Sequence, residues 1–376
     1  MTAFAAELRA LAALRAKGRL RALTSQAGHD FASNDYLGLA RSDVMRDAAR
    51  DALDRGVALG SGSARLLRGN DPEMELLEHE AAAFFAADRA LFLATGYVAN
   101  LAIFSALPRP GDLVVHDALI HASAHDGMRL GRADTRAFRH NDAAHADSLI
   151  DDWRAGGGTG RVWLACESVY SMEGDLAPLA DLLALARRHD AILIVDEAHA
   201  TGVFGPDGRG LGHGLGADVL ALHTCGKALG VSGALVSGAA PLIDTLVNRA
   251  RGFLFSTAPA PLTAALVRSA LARLQADSGL IEGHRALVMH AHAAAAPLGL
   301  VPQSQILPIV LGDNAATMAV AAAMQARGFD IRGIRPPTVP VGTARLRISI
   351  TCNVTPDLID EMFAVLAEEL EKERHD

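Results

Sequence analysis

The sequence predicts an α/β protein with a mostly parallel sheet, followed by a smaller α+β unit. Short, continuously apolar segments alternate with amphipathic stretches between about residues 88 and 238. This alternation is typical of a parallel sheet that helices cover on both faces. After about residue 275 the pattern changes to isolated strand-like and helix-like segments. We therefore predict an N-terminal helical segment over 1–36, a large domain over 37–275 and a small C-terminal domain over 276–376.

Six apolar segments of the large domain have the length and composition of buried strands. Amphipathic helices such as 178–190 lie between them. Ligands of such sheets bind at the carboxyl ends of the strands, so the polar residues that close each strand are candidate site residues. The predicted strands are 90–94, 112–116, 161–166, 191–196, 218–223 and 233–238.

The C-terminal region shows a different order of elements. Strand-like segments at 304–312 and 344–351 enclose a helical stretch at 315–328. A last helix follows, and Thr355 with Pro356 makes a favourable N-cap and first-turn pair for it. These elements predict a small α+β unit.

Composition argues against several classes of protein. The formal net charge is −8, whereas sequence-independent binding of nucleic acid needs a basic face. No segment is long and charge-free enough to span a bilayer, so we expect neither a nucleic-acid nor a membrane partner. Cys166, Cys225 and Cys352 are widely spaced and odd in number, which favours a reducing cytoplasm over a disulfide framework.

Lysine is rare in this chain. Of 35 Lys and Arg residues, only Lys17, Lys227 and Lys372 are lysines. Lys227 lies in "HTCGKALGVSGALVSG", among small and apolar residues. A buried lysine can lose its proton and react as an amine, whereas arginine stays charged in proteins. The position therefore favours a reactive amine over a solvated cation.

The segment "AILIVDEAHATG" places Asp196 at a strand end and His199 one turn later. "DEAH" is also the Mg²⁺-binding box of some nucleotide-driven helicases, but that function needs an upstream phosphate loop. The only internal Gly-Lys pair, at Lys227, lies downstream. A purely structural strand-end carboxylate is the other alternative. Asp196 and Lys227 together suit pyridoxal 5'-phosphate, because the lysine can form a Schiff base and the aspartate can hold the ring nitrogen protonated.

Two further segments fit such a cofactor. In "ATGYVANLAIFSAL" a strand is followed by the turn Thr95-Gly96 and a helix, whose free N–H groups suit a phosphate. Thr224 can add a hydroxyl. "HDALIHASAHDG" holds three histidines, but no carboxylate or cysteine stands at ligand spacing, so we predict no metal site. A histidine stacked on an aromatic cofactor is the simpler interpretation.

Taken together, these motifs resemble those of the α-oxoamine synthases, pyridoxal-phosphate enzymes of the aspartate-aminotransferase fold (fold type I). The biotin-pathway branch is matched most closely, through "HASAHDGMR", "HND" and the last segment below. "SGSARLLRGND" differs from that branch near the substrate entrance, which leaves the acyl donor open. The matching segments, in family order over residues 33–351, are "SNDYLGLA", "GSGSARLLRGN", "TGYVANLA", "HDALIHAS", "ESVYSMEGDLAPL", "VDEAHATGVFG", "TCGKALG", "FSTAPAP" and "GIRPPTVPVGTARLRISIT".

The resemblance implies a decarboxylative condensation of L-alanine with a pimeloyl thioester, carried by CoA or by an acyl carrier protein. It also implies a cytoplasmic homodimer with shared active sites. Relatives that join glycine to acetyl-CoA or succinyl-CoA, or serine to long acyl chains, are alternatives. A non-catalytic protein of the same fold is a third, and the presence of Lys227, Asp196, His121 and Arg347 argues against it.

The resemblance implies a role for each matching residue. Lys227 would form the Schiff base and transfer the proton, Asp196 would pair with the ring nitrogen, and His121 would stack on the ring and act as an acid. The other implied cofactor contacts are His199 at the phenolic oxygen, Ser171 beside the ring, Gly96, Tyr97 and Thr224 at the phosphate, and Ser256 and Thr257 from the second subunit. The implied substrate contacts are Arg347 at the amino-acid carboxylate, Asn34 in the same pocket, and Arg335 and Arg21 on the acyl side.

Overall fold

The computed structural model describes residues 3–375, which form two compact units. The large unit holds Asn34–Ser171 and Asp175–Arg285. The small unit holds the chain up to Ser33, the short segment Met172–Gly174 and the chain from Ala286 onward. The domain boundaries after residues 36 and 275 stay a prediction, and the division between the units falls after Ser33 and Arg285.

Helices and strands alternate along most of the described chain. The strands are β1 His29–Asp30, β2 Arg89–Leu93, β3 Leu113–Asp117, β4 Asp134–Phe138, β5 Val162–Glu167, β6 Ile192–Asp196, β7 Val219–Thr224, β8 Ala234–Gly238, β9 Ile306–Gly312, β10 Phe329–Asp330, β11 Arg332–Ile334 and β12 Ala344–Ser349. The helices are α1 Ala5–Ala16, α2 Asp43–Asp54, α3 Pro72–Phe85, α4 Gly96–Ala106, α5 Ala122–Leu130, α6 Ala143–Ala155, α7 Leu179–Arg188, α8 Ala240–Arg249, α9 Arg251–Leu254, α10 Pro261–Ala276, α11 Ser278–Ala295, α12 Asn314–Ala326 and α13 Pro356–His375.

The described part of the large unit contains a seven-stranded sheet in the order β2-β8-β7-β6-β5-β3-β4. The pairs β7–β6, β6–β5, β5–β3 and β3–β4 are parallel, and β8 is antiparallel to both β2 and β7. The predicted mostly parallel sheet is therefore confirmed. Each of the six predicted strands is present, with bounds within one residue of those predicted.

The sequence did not predict the edge strand β4. Its residues are mostly exposed, and only Phe138 at its end is fully buried. An edge strand that faces solvent needs no continuous apolar run, so the pattern that revealed the other strands is missing here.

Both faces of the sheet are buried, which explains its apolar strands. Successive residues of β6 alternate between two clusters. Leu193 and Val195 pack with α6 and α7, whereas Ile194 packs on the opposite face with α4. Burial of one such side chain stabilises the fold by roughly 1.5–3 kcal/mol. The same packing fixes the register of the strands and hence the position of the residues at their carboxyl ends.

The strand ends bring polar residues to one edge of the sheet. Asp117, Glu167, Asp196 and Thr224 are the last residues of β3, β5, β6 and β7, which run parallel. Strands β6 and β7 are direct neighbours in the sheet, so Asp196 and Thr224 lie at adjacent strand ends. Strand β2 runs in the same direction as β7, so the start of α4 at Gly96 lies at that edge too.

The small unit contains a three-stranded antiparallel sheet in the order β11-β12-β9. Helices α12 and α13 contribute Met324 and Phe363 to the core that covers it. The predicted cap of the last helix is confirmed, because Thr355 Oγ1 accepts a hydrogen bond from the N–H of Leu358 at 3.3 Å. Helix α1 buries none of its residues within the chain. Among the helices of the described residues, none combines the length and the hydropathy that crossing a membrane requires.

Candidate active site

Lys227 lies in the loop after β7, where its side chain meets His199. Its Nζ is 2.7 Å from Nε2 of His199. His199 is buried in the turn after β6, and its Nδ1 is 2.6 Å from the hydroxyl of Tyr36. The hydroxyl of Tyr36, which is fully buried, donates to Oδ1 of Asn34 at 3.2 Å. The structure thus joins three residues that the sequence singled out, through a tyrosine that it did not.

Asp196 is buried at the end of β6, and both of its carboxylate oxygens accept hydrogen bonds. The N–H of Ala198 donates to Oδ1 at 3.0 Å, and Nδ2 of Asn100 donates to Oδ2 at 2.8 Å. Asn100 is buried in α4 and was not predicted as a site residue. Its one sequence signal is its place inside the family segment "TGYVANLA".

His121 caps the start of α5 and is linked to Asp196 by a short hydrogen-bond network. Its Nδ1 is 2.7 Å from Oγ of Ser123, which accepts from Nδ2 of Asn100 at 2.9 Å. Burial lowers the pKa of His121; Lys227 adds to this shift and Asp196 opposes it. The imidazole is therefore neutral at pH 7, which suits a ring that stacks on a flat cofactor.

The segment predicted to hold the phosphate lies beside Lys227. Helix α4 begins at Gly96, and Oγ1 of Thr95 caps it by accepting from the N–H of Val98 at 3.1 Å. The first N–H groups of a helix have no partner within it and attract anions. A Cβ on Gly96 would stand 3.4 Å from Oγ1 of Thr224, so this hydroxyl adjoins the helix start. Gly96, Thr224 and Lys227 line one cavity of about 560 Å³.

The other predicted cofactor contacts of the large unit either make hydrogen bonds of their own or are exposed. The hydroxyl of Tyr97 donates to Asp126, so the predicted phosphate contact of this residue falls to its backbone N–H. The N–H of Ser171 donates to the Glu167 carboxylate at 3.3 Å. Ser256 and Thr257 are exposed after α9. The structure does not bring them to Lys227 within the cavity described above.

Two ionisable groups near the strand ends, the fully buried Glu197 and the half-buried His140, were not predicted as site residues. Glu197 accepts from the N–H groups of Leu211 and Gly212 at 2.9 and 2.5 Å. Burial raises the pKa of Glu197 to about 7, although these N–H groups oppose the shift. The second group is His140, which bridges Asp117 and Asp175 at 2.9 and 2.8 Å.

The bridge at His140 is charged at neutral pH. Burial acts to lower the pKa of His140, but the hydrogen bonds to Asp117 and Asp175 outweigh it and raise the pKa to about 10. Asp117 is the last residue of β3, and Asp175 follows the loop after β5. The imidazolium therefore ties Asp175 to the edge of the sheet where Asp196 lies.

The small unit carries the arginines predicted to bind substrate. Arg347 is buried in β12 and donates to Oγ of Ser349 at 2.7 Å. Arg21 donates to Oγ1 of Thr338 at 3.2 Å, and Arg335 donates to the carbonyl of Leu20 at 3.0 Å. The two arginines predicted on the acyl side therefore both join the segment at residues 20–21 to the segment at residues 335–338.

The donor set of the large unit fits pyridoxal 5'-phosphate. It offers an amine on Lys227, a buried carboxylate on Asp196, a neutral imidazole on His121, and a helix start next to the hydroxyl of Thr224. These groups match, in kind, the aldehyde, ring nitrogen, ring face and phosphate of the cofactor. The arrangement is that of a pyridoxal-phosphate-dependent enzyme of fold type I.

Comparisons with known proteins agree with this class of enzyme. Residues 28–366 match the family of class I and II aminotransferases, and the chain belongs to this family. The 8-amino-7-oxononanoate synthase of Burkholderia thailandensis is 43% identical over 338 residues, which cover 85% of this chain and 83% of that protein. The synthase of the same name from Herminiimonas arsenicoxydans is 41% identical over 350 residues, covering 89% and 88%.

Solved structures are similar along nearly the whole chain. The serine palmitoyltransferase of Sphingomonas wittichii has a TM-score of 0.88 at 26% identity and covers 98% of both chains. The 8-amino-7-oxononanoate synthase of Francisella tularensis has a TM-score of 0.77 at 26% identity and covers 92% of this chain and 99% of that one. The predicted fold and the predicted cofactor class are therefore confirmed. The role of each site residue stays a prediction.

Proposed function

We propose that the protein joins L-alanine to a pimeloyl thioester, releasing CO₂ and the free thiol and forming 8-amino-7-oxononanoate for biotin synthesis. One observation carries this proposal. The Lys227 amine and the Asp196 carboxylate lie at the ends of neighbouring strands, in a chain 43% identical to a protein named for that product. The thioester is carried either by CoA or by an acyl carrier protein.

The bound cofactor supplies an electron sink for charge that develops at the Cα of the amino acid. Residues of the large unit would hold it. Lys227 would bind the aldehyde carbon, Asp196 the ring nitrogen, and His121 and Ser171 the ring. The N–H groups of Gly96 and Tyr97 and the hydroxyl of Thr224 would bind the phosphate, and His199 the phenolic oxygen.

Protein side chains would transfer the proton and bind the substrates. Lys227 would take the Cα proton of alanine and hold it on Nζ. Arg347 would bind the carboxylate of alanine, because a planar guanidinium can make two parallel, charge-assisted hydrogen bonds with it. Asn34 would line the same pocket, and Arg335 and Arg21 would bind the acyl side.

We further propose a cytoplasmic homodimer in which each subunit completes the site of the other with Ser256 and Thr257. Three large apolar side chains of the large unit support a partner surface, because they are mostly exposed within one chain. Leu67 is 81% exposed, Phe255 is 73% and Leu59 is 72%. Phe255 directly precedes Ser256. None of the three cysteines, which all lie within the described residues, forms a disulfide, which fits a reducing compartment.

A second candidate is an α-oxoamine synthase with another substrate pair. The high TM-score with a serine palmitoyltransferase favours it, as does the atypical segment "SGSARLLRGND". In that segment Arg65 is buried and makes a two-point ion pair with Glu78 at 2.8 and 2.9 Å. Arg65 is thus engaged in fixing the loop.

Thiol release by the cofactor-loaded protein tests both candidates. We would compare L-alanine with pimeloyl-CoA or its carrier-protein thioester, glycine with acetyl-CoA, and L-serine with palmitoyl-CoA, and identify the product by mass. Turnover of the alanine pair alone is expected. Turnover of another substrate pair would assign those substrates to the protein and leave the proposed site residues unchanged. Lys227→Ala is the control, and thiol release by this variant would show that the lysine assignment is wrong.

A further inference from the structure

A continuous line of hydrogen bonds runs from Lys227 into the interior of the large unit. Nζ of Lys227 meets Nε2 of His199 at 2.7 Å, and Nδ1 of His199 meets the hydroxyl of Tyr36 at 2.6 Å. The Tyr36 hydroxyl also meets Oδ1 of Asn34 at 3.2 Å. His199 is 4% exposed and Tyr36 is not exposed at all, so these two members of the line are shielded from bulk water.

The last member of this line sets its direction. Oδ1 of Asn34 can only accept a hydrogen bond, so it takes the proton of the Tyr36 hydroxyl. The oxygen of Tyr36 then accepts from Nδ1–H of His199. A neutral imidazole that carries its proton on Nδ1 has a lone pair on Nε2, and this lone pair faces the amine of Lys227.

We propose that Lys227, His199 and Tyr36 act as nucleophile, base and orienting residue when the lysine reacts with an aldehyde. The same logic activates serine and cysteine nucleophiles, in which a third group fixes the tautomer of the base. Tyr36 is then a positioning residue, because it acts through His199. This inference rests on the proposed function of Lys227 as the residue that binds the cofactor aldehyde.

The proton balance of the step defines the role of His199. The neutral amine of Lys227 forms a C–N bond to the carbonyl carbon, and the π electron pair of the C=O bond moves to the oxygen. The nitrogen sheds one proton to Nε2 of His199, and the imidazolium passes it to the oxygen, which becomes a hydroxyl. The nitrogen then sheds its second proton by the same route as the C–O bond breaks, so that the C=N bond forms and the oxygen leaves as water.

Burial argues that the hydroxyl of Tyr36 has more than a packing role. The Tyr36 ring belongs to an apolar core cluster and stands 6.1 Å, between centroids, from the rings of both His199 and His284. A phenylalanine would fill the same volume. A buried hydroxyl is costly unless it is hydrogen-bonded, and here it supplies the acceptor that the Nδ1–H tautomer needs.

The scarcity of lysine allows a direct test on the protein without cofactor. Pyridoxal, which lacks the phosphate, would be mixed with the unloaded protein and the adducts trapped by borohydride at short times. Mass spectrometry then reports the rate at Lys227, with exposed Lys17 and Lys372 as internal references. We expect Tyr36→Phe to slow trapping at Lys227 about tenfold, because a hydrogen bond in the line is lost, and to leave the references unchanged.

Tyr170→Phe is the matched control, because it removes a hydroxyl from another fully buried tyrosine of the same unit. It should leave trapping at Lys227 unchanged. Asn34→Leu is the second variant and keeps the test valid if Tyr36→Phe does not fold. It frees the proton of Tyr36 to point at His199, so it should also slow trapping.

Histidine ¹⁵N NMR of the unloaded protein gives a readout that a packing role would not move. We expect His199 to carry its proton on Nδ1 in the wild type and to shift toward Nε2–H in Tyr36→Phe. A wild-type Nε2–H tautomer, or equal trapping rates in wild type and Tyr36→Phe, would overturn the assignment. Absence of any trapping at Lys227 in the wild type would instead overturn the proposed function, and the assignment with it.

Discussion

Nδ2 of Asn100 lies 2.8 Å from Oδ2 of Asp196, and both residues are buried. The same amide nitrogen lies 2.9 Å from Oγ of Ser123, which is 2.7 Å from Nδ1 of His121. One amide on α4 therefore holds both the carboxylate proposed for the ring nitrogen and, through Ser123, the imidazole proposed for the ring face. Loss of this amide should disturb both contacts at once.

Asn100→Ala should slow exchange of the alanine α-proton roughly 10- to 100-fold, because a hydrogen bond to a charged group contributes about 1.5–3 kcal/mol. Exchange in D₂O, followed by proton NMR on the cofactor-loaded protein, measures the effect. Asn248→Ala is the control. Its side chain donates to the Asp244 carbonyl on the exposed face of α8. A rate for Asn100→Ala within twofold of wild type would contradict the role of this amide.

His140→Gln should destabilise the fold by about 3 kcal/mol, because it leaves the charge of the fully buried Asp117 carboxylate uncompensated. The pKa of His140 is raised to about 10, above its ordinary value near 6.5. The contribution is therefore fully present below pH 6.5, declines as the pH rises, and is lost as the pH passes about 10.

Thermal unfolding of wild type and His140→Gln between pH 6 and pH 10 would check the sign of this dependence. The difference between their midpoints should shrink toward pH 10. Arg46→Ala, which breaks an exposed pair with Asp43, should cost at most about 1 kcal/mol. A difference that grows with pH would show that His140 is not the charged member of the bridge.

The sequence predicted the parts of the fold that depend on local pattern. The six strands with continuous apolar runs were predicted, because a strand that is buried on both faces has apolar residues at nearly every position. Strand β4 was missed, since most of its side chains face solvent. The reversed direction of β8 has no local signature either, because its residues are as fully buried as those of the parallel strand β5.

The residues of the candidate site likewise divide into those that the sequence predicted and those that it missed. Lys227, Asp196 and His199 stood out because their residue types are unusual beside apolar strands. Asn100 and Tyr36 did not, because an amide inside a helix and a tyrosine in a loop are common, and their partners lie 96 and 163 positions away in the chain. Only tertiary contacts reveal such residues.

Gly210→Ala should destabilise the fold far more than Gly214→Ala. Both glycines lie in the same loop and have positive φ angles, +92° and +80°, so each substitution bears a backbone cost of about 1–2 kcal/mol. A Cβ on Gly210 would also overlap the carboxylate of Glu197, whereas a Cβ on Gly214 would meet open space. Thermal midpoints of the two variants measure the difference. Equal midpoints would mean that Glu197 does not hold this loop in place.

Arg347→Ala should raise the KM for alanine roughly 10- to 100-fold, because the charge-assisted pair with the substrate carboxylate is lost. Arg347→Lys should recover only part of this loss, since an ammonium cannot form two parallel hydrogen bonds with a carboxylate. Steady-state kinetics with alanine as the varied substrate would measure both.

Two other arginines of the small unit, Arg345 and Arg327, serve as controls that separate substrate binding from stability. Arg345 is buried in the same strand but is paired with Glu173 at 2.9 Å and with the carbonyl of Met172 at 3.0 Å. Arg345→Ala should therefore lower the thermal midpoint. Arg327, an exposed residue paired with Glu368 at 3.2 Å, should tolerate alanine with the KM unchanged. An alanine KM that rises in Arg345→Ala but not in Arg347→Ala would move the carboxylate site to Arg345, because the two side chains differ in their partners and not in their burial.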